Sequence, residues 1–426
     1  MSGQKVSGKA WAMVALLFGF MMINFADKVI VGLAGVPIMT DLQLTPRQFG
    51  LVGSSFFFLF SISAVVTGFL VNRIHSKWAL LAMGLIWSLV QFPMLGTIGF
   101  EALIACRIVL GVGEGPAYPV ALNATYKWFP DNRRALPGAI ISQGASIGVI
   151  IVVPILTLII TKYSWHYAFA ALGVAGLLWV LIFAVMGEEG KGDIGLGSRA
   201  NDDERHIPYR SLLFSPTNVA SWLSYFGAYF GLALVLSWFT PWLVKALGFS
   251  QAVAGQLTAL PFLVGFFVVI GGGWASEWMM RHGYSSRVAR GALIGGALIV
   301  GGLALLAESY VHSATMKVIL VLFGVALPSI VYPLSPAILA EITPPRQQGA
   351  MLGINSAVGT SAGIIAPYLM GSVIERAASA ADGYSLGFSI CGLVAFAGGI
   401  IGLLFLRPGS ERASFDALQP AAADAR

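Results

Sequence analysis

Asp27, Lys28, Arg107 and Glu114 stand inside stretches that are otherwise apolar. Asp27 and Lys28 interrupt the run from about 10 to 36, and Arg107 and Glu114 the run from about 103 to 123. A charge at the centre of a bilayer costs roughly 2.5–3.5 kcal/mol on insertion scales, and charges kept there mark ion or substrate pathways. Two acids and two bases imply protons and an anion. Asp27 and Glu114 are the candidate proton carriers. Arg107 precedes Glu114 by about two helical turns, so both sit on one helix face. If Arg107 changed its distance to a carboxyl between two conformations, it would switch that carboxyl between holding and releasing a proton. Lys28 points about 100° away from Asp27 around the helix, where its ammonium can take a substrate carboxylate. The plainer readings stay open: Arg107 and Glu114 as a structural ion pair, and Lys28 consumed by a neighbouring acid. Gly115-Pro116 directly after Glu114 should loosen the helix there.

The elements that position these groups follow from composition. The 426 residues are 57% hydrophobic and 10% charged, against about 25% charged in a soluble domain. At about 20 residues per membrane span, twelve apolar segments are expected, an all-α membrane protein. Their approximate limits are 10–36, 48–70, 78–98, 102–123, 135–160, 166–186, 218–244, 252–278, 289–309, 315–340, 349–374 and 385–406. With the N-terminus in the cytoplasm, eighteen of the 25 lysines and arginines fall on cytoplasmic segments. The outer loops hold five, Arg47, Lys162, Lys245, Lys317 and Arg376. This asymmetry supports an even number of spans with both termini cytoplasmic. The net charge of +6 is spread by membrane side and is no nucleic-acid signal.

Enzymatic chemistry finds no support. Gly359-Thr-Ser361-Ala-Gly363 has nucleophile-elbow spacing but lacks the strand-turn-helix setting. No P-loop lysine motif occurs. Cys106 and Cys391 fall inside apolar segments, which argues against a disulfide framework or metal site. No catalytic residue, cofactor or metal is expected.

A polar stretch at 187–216 divides the chain into a first six-helix bundle (1–186), a cytoplasmic linker, a second bundle (217–407) and a tail (408–426). The halves match in order. Thr45, Gly50 and Gly68 have counterparts Ser250, Gly255 and Gly273; Tyr118-Pro119 matches Tyr332-Pro333, and Pro154 matches Pro367. Such a repeat is the architecture of secondary transporters, whose substrates bind between rocking halves. Gly144, Gly148, Gly359 and Gly363 suit close helix packing. Gly68, Asn72 and Arg73, with their repeat partners Gly273, Glu277 and Arg281, read as cytoplasmic gate structure. There the glycines would let helices approach and the bases would meet anionic lipid headgroups.

The twelve-span layout and the Gly68–Lys77 loop resemble the major facilitator superfamily. Asn24-Phe-Ala-Asp27-Lys28, Arg107-x3-Gly-x2-Glu114-Gly-Pro-x2-Pro119 and Trp128-Phe-Pro-x2-Arg133-Arg134-Ala resemble its anion:cation symporter family. That family includes bacterial hexuronate, galactonate and glucarate carriers and sialin-type organic-anion carriers. The resemblance implies proton-driven import of a small organic carboxylate across an inner membrane. Asp27 and Glu114 would be protonation sites and Arg107 their partner. Lys28 stands where sugar-acid carriers usually have an arginine that grips the carboxylate, and lysine is a point charge instead of a two-pronged one. Phe25 and Phe60 replace frequent tyrosines. Ser142, Gln143 and Ser146 lie near Ala145, where a glutamine is typical. Ser356 and Thr360, beside Asn355, stand where asparagines are typical. Asn72 replaces the usual aspartate of the loop. Trp238, Trp242 and Phe56–Phe58 could supply apolar walls. A site with fewer hydroxyl partners favours a simple or aromatic carboxylate over a sugar acid. An organic-anion antiporter or exporter not driven by protons and a transporter-like carboxylate receptor are the competing functions. One chain contains both halves, so a monomer suffices.

Overall fold

The computed structural model describes residues 7–70, 75–130, 133–190 and 207–417. Among them are twelve helical spans long and apolar enough to cross a membrane. They are α1 Gly8–Leu33, α2 Pro46–Thr67, α3 Ser76–Leu95, α4 Phe100–Tyr126, α5 Leu136–Lys162, α6 Trp165–Met186, α7 Pro216–Lys245, α8 Gln251–Arg281, α9 Arg287–Glu308, α10 Ala314–Ile342, α11 Gln347–Arg376 and α12 Ala380–Phe405. Each of the twelve expected segments has its span. The largest difference is the start of α12. There the Ser379 hydroxyl accepts the Asp382 amide at 3.1 Å and donates to its carboxylate at 2.7 Å. This N-cap draws a polar stretch into the helix. Thr45 opens α2 in a capping box with Gln48, and Ser250, its counterpart in the sequence, opens α8 by accepting the Val253 amide.

Three spans of the first half are broken partway. In α2 the regular helix stops at Ser55 and resumes at Phe60. Tighter turns bridge the gap, with the Phe57 amide on the Ser54 carbonyl at 2.9 Å and the Phe58 amide on that of Ser55 at 3.3 Å. In α3 the regular helix ends at Leu89, and Phe92–Leu95 form a 3₁₀ turn around Pro93. In α4 it ends at Glu114 and restarts at Ala117, with Gly115-Pro116 between. Irregular backbone is tolerated at membrane depth only where protein or a cavity surrounds it. Here α4 provides that cover. A Cβ on Gly111 would lie 1.9 Å from the Phe56 carbonyl oxygen, and one on Gly115 2.2 Å from that of Phe60. These glycines, one turn apart, let α4 lie directly on the broken stretch of α2.

The start of α3 and the ends of α4 and α6 meet on Glu189. Its carboxylate accepts the amides of Ser76 at 3.2 Å and Lys77 at 3.0 Å, the first N–H groups of α3, and pairs with Lys127. Lys127 also donates to the Ser76 hydroxyl at 3.0 Å, which donates to Asn123 at 2.9 Å. Burial opposes ionisation of Glu189. The hydrogen bonds from Lys127, Lys77 and Ser76 outweigh it and hold the carboxyl below its ordinary value of 4.5. We predict that Glu189→Ala costs about 1 kcal/mol, the value of a lost helix cap. With a depressed folded-state value, the contribution is complete above the ordinary carboxylate range and disappears as pH falls through the lowered one. Thermal unfolding in detergent should separate the variant from wild type at neutral pH and bring them together in acid.

By packing, the chain forms two compact units. The first comprises 1–198, 234–263 and 367–383; the second comprises 199–233, 264–366 and 384–426. The first unit thus includes the end of α7, the start of α8 and the end of α11. There, backbone meets backbone at glycines. A Cβ on Gly32 would lie 2.1 Å from the Leu236 carbonyl oxygen, on Gly50 2.4 Å from that of Pro367, and on Gly371 2.2 Å from that of Pro46. Around these contacts, the Arg47 amide donates to Glu375 at 3.0 Å, Gln251 to the Leu33 carbonyl at 2.7 Å, and the Tyr368 amide to Ser54 at 3.1 Å. In the second unit, the short helices Tyr209–Leu213 and Pro408–Ala417 join one apolar cluster. It contains Ile207, Leu212, Leu339, Ile342, Met351 and Phe415.

Among the described residues the close approach expected at Gly273 is absent, since a Cβ there would meet none of them within 4 Å. Glu277 and Arg281 pair at 3.2 Å on the exposed surface of α8. Asn72 and Arg73 lie outside the described residues, as do the surroundings of Gly68. Gly144 and Gly148 of α5 do serve close packing, against Phe18 and Met22 of α1.

Candidate functional site: a buried charge cluster in the first unit

Asp27, Lys28, Arg107 and Glu114 are all buried, none more than 5% exposed. They come together between α1 and α4. Lys28 Nζ lies 3.2 Å from Glu114 Oε2 and donates to Asn24 Oδ1 one turn back along α1. Arg107 lies in α4 opposite Asp27. Its Nη1 donates to the Asp27 backbone carbonyl at 3.4 Å. Among the described residues no ion pair within 4.0 Å joins Arg107 to either carboxylate, so it acts on them through its charge. The cation in contact with Glu114 is Lys28, on another helix.

The breaks in α2, α3 and α4 fall at this cluster. Glu114 is the last residue before the break in α4. The break in α2 presents Phe56, whose ring lies 4.6 Å from the Arg107 guanidinium. Lys28 Nζ is 4.5 Å from the ring centre of Phe25, 5.4 Å from that of Phe60 and 6.0 Å from that of Phe56. Three aromatic faces therefore surround the ammonium. They stabilise a cation through their quadrupoles and bring no hydrogen-bond donor. The break in α3 delivers Gln91, whose Nε2 donates to Asp27 Oδ1 at 2.7 Å. The sequence reading did not single out Gln91, because a neutral amide beside Phe-Pro in an apolar run carries no signal.

Several polar atoms here are buried without a hydrogen bond. Asp27 Oδ2 and Glu114 Oε1 are acceptors, and Asn24 Nδ2 and Arg107 Nε are donors. Because Lys28 can only donate, its bond identifies Asn24 Oδ1 as the oxygen and leaves Nδ2 unspent. Unmade hydrogen bonds of buried groups cost about 1–3 kcal/mol each. The two acceptors can take protons, and the two donors can take an anion.

The other expected site residues are distributed as follows. On α5, Ser142, Gln143 and Ser146 are half-buried. Trp238 is fully buried in the first unit. Its indole donates to the Pro367 carbonyl at 2.9 Å and meets Phe49 edge-on. Asn355, Ser356 and Thr360 belong to the second unit. There Ser221 and Ser335 hydroxyls meet at 2.7 Å, Ser335 donates to Asn355 at 3.2 Å, and Thr360 donates to the Ser356 carbonyl at 2.8 Å. Tyr225 and Tyr332 pack edge-on beside this chain at 5.4 Å. A Cβ on Gly359 would lie 1.9 Å from the Tyr225 ring. Among the described residues no group of three or more His, Cys, Asp or Glu could hold a metal ion.

The family model of the Major Facilitator Superfamily matches residues 16–327 and again 221–423. The chain is 27% identical over 407 residues to the hexuronate transporter of Bacillus subtilis strain 168, covering 92% of this chain and 94% of the relative. It is 24% identical over 394 residues to the D-galactonate transporter of Escherichia coli O6:H1, covering 87% and 90%. In fold it is similar to a bacterial homologue of the human lysosomal transporter Spinster in an inward-facing, unoccupied conformation. There the TM-score is 0.76 at 17% identity, with 96% of this chain and 99% of that one covered. A D-xylose–proton symporter is similar at TM-score 0.77 and 16% identity, with 94% and 99% covered.

Proposed function

We propose, from the premise that this chain belongs to the Major Facilitator Superfamily, that it imports an organic carboxylate together with a proton. The membrane would be a bacterial-type inner membrane, with both termini in the cytoplasm and one chain sufficing. The chain is a membrane transporter and not an enzyme. The observation that carries the rest is the pairing of Lys28 with Glu114, next to unspent donors and a second carboxyl.

With Asp27 and Glu114 ionised and Lys28 and Arg107 charged, the cluster sums to zero. A carboxylate that docks on Lys28 competes with Glu114 for it. Success leaves the buried cluster one negative charge in excess, and an uncompensated buried charge costs several kcal/mol. A proton on either carboxyl restores the balance. Substrate and proton then favour each other's binding, a reciprocity that linkage requires. Asn24 Nδ2 and Arg107 Nε would supply further donors to the bound carboxylate.

The relatives named above are carriers of hexuronate and D-galactonate, so an acidic substrate has support. The aromatic faces around Lys28 offer no hydroxyl partners. We infer a carboxylate with an apolar or aromatic body in preference to a polyhydroxylated acid.

The test uses proteoliposomes containing a pH dye, with carboxylates added outside one at a time. Internal acidification on addition of one class of acid is the expected result. Uptake of a labelled acid without acidification would replace symport with exchange. A preference for sugar acids in competition would overturn the substrate class while leaving the coupling intact.

A further inference from the structure

Gln91 takes no part in the charge balance, yet it alone hydrogen-bonds the Asp27 carboxyl among the described side chains. It is 2% exposed. It stands where α3 ceases to be regular, between Leu89 and the 3₁₀ turn at Phe92–Leu95. The neighbouring span α6 fixes that place. A Cβ on Gly173 would lie 3.0 Å from the Ser88 carbonyl oxygen, 3.1 Å from the Phe92 ring and 3.2 Å from Gln91 Cβ. The bare glycine lets the α3 break settle against α6 with the Gln91 amide turned toward α1.

We propose that Gln91 is the positioning residue for Asp27. It engages Oδ1, reserves Oδ2 as the oxygen that accepts the proton, and keeps the carboxyl in one orientation whether or not it is protonated. This rests on the reading that Asp27 takes up protons.

The geometry supports it in three ways. Oδ1 receives the Gln91 amide at 2.7 Å, while Oδ2 is buried with no partner. An amide N–H donates to a carboxylate oxygen and, more weakly, to the carbonyl oxygen of a neutral acid, so the bond survives protonation. The charged groups facing Asp27 are Glu114 and Arg107 of α4 and Lys28 of its own helix. None of them hydrogen-bonds its carboxyl oxygens. Gln91 therefore holds Asp27 through a neutral contact, and no cation has to be displaced before a proton can bind.

The test follows the proton itself. Infrared difference spectra of the purified full-length protein, recorded as pH is changed, isolate the carbonyl stretch of protonated Asp27 as the band missing in Asp27→Asn. In Gln91→Leu the band should move to higher frequency, having lost its donor. Its pH midpoint should rise by about one unit, since a hydrogen bond to a charged group is worth about 1.4 kcal/mol more than one to a neutral group, and one pH unit is about 1.4 kcal/mol. Gln91→Asn, one methylene short, should do the same. Gly173→Ala, which presses on Gln91 but keeps the amide, should give a smaller shift. If Gln91→Leu does not fold, the other two carry the test. An Asp27 band with wild-type frequency and midpoint in the folded variants overturns the proposal. No Asp27-dependent band in wild type at any tolerated pH removes Asp27 as a proton carrier and this inference with it. A normal band without acidification of liposomes faults the symport reading alone.

Discussion

Glu114→Gln should leave a protein that still binds and exchanges its carboxylate but no longer moves protons with it. Glutamine keeps the size of the side chain and cannot ionise. With Asp27 ionised, the cluster then carries one positive charge when empty and none when a carboxylate sits on Lys28. Binding should become insensitive to pH, and counterflow of labelled acid at equal pH should persist. Uptake driven by a pH gradient should fall by roughly two orders of magnitude, the scale of losing a coupling of about 2–3 kcal/mol. Liposome acidification and counterflow, measured on one preparation, separate the two effects. Persisting acidification would remove Glu114 from the coupling and leave Asp27 as the single proton site.

Lys28→Met should instead weaken binding itself. The ammonium is the contact partner of Glu114 at 3.2 Å and the cation encircled by Phe25, Phe56 and Phe60. Its removal takes away the docking charge and leaves Glu114 buried without a counter-ion. Truncating one member of a buried charge pair costs about 2–5 kcal/mol, which corresponds to carboxylate affinity weaker by about 30-fold to several thousand-fold. Calorimetric titration in detergent, with the acid that acidifies wild-type liposomes, reads this directly. The double variant Lys28→Met with Glu114→Gln should regain thermal stability, since no lone charge remains, and should still bind weakly. Unchanged affinity in Lys28→Met would assign the anion to Arg107 and Asn24 instead.

The four charges were readable in the sequence because each contradicts its apolar surroundings, and the spans because their lengths and loop charges are physical constraints. Partnership was not readable. Spacing along one helix places Arg107 and Glu114 on a common face, but the ion pair runs from Glu114 to Lys28 on α1. Such pairing depends on the rotation of two helices about their axes, which apolar runs leave undetermined. Gln91 and the tyrosines Tyr225 and Tyr332 were missed for a related reason. A neutral polar residue in an apolar segment looks the same whether it faces a site or a neighbour. Gly273 differs in the other direction, as a glycine in a repeated loop motif implied a close contact that is absent among the described residues. The breaks in α3 and α4 have Pro93 and Gly115-Pro116 as signals. The break in α2 has only Ser54 and Ser55, which hold it through backbone turns.

The glycine contacts at Gly32, Gly50 and Gly371 have a consequence for how fast that part of the first unit could open and close. Main-chain oxygens there rest against main-chain carbon, with no side chain of the glycine between them. Immobilising a long side chain costs up to about 2 kcal/mol of rotamer entropy, whereas glycine has none to lose. A joint of this kind can part and re-form without any glycine side chain searching for its rotamer. The barrier to closing then lies in bringing the helices together. A methyl group added at Gly32, Gly50 or Gly371 would act as a wedge, favouring any arrangement in which the joint is parted.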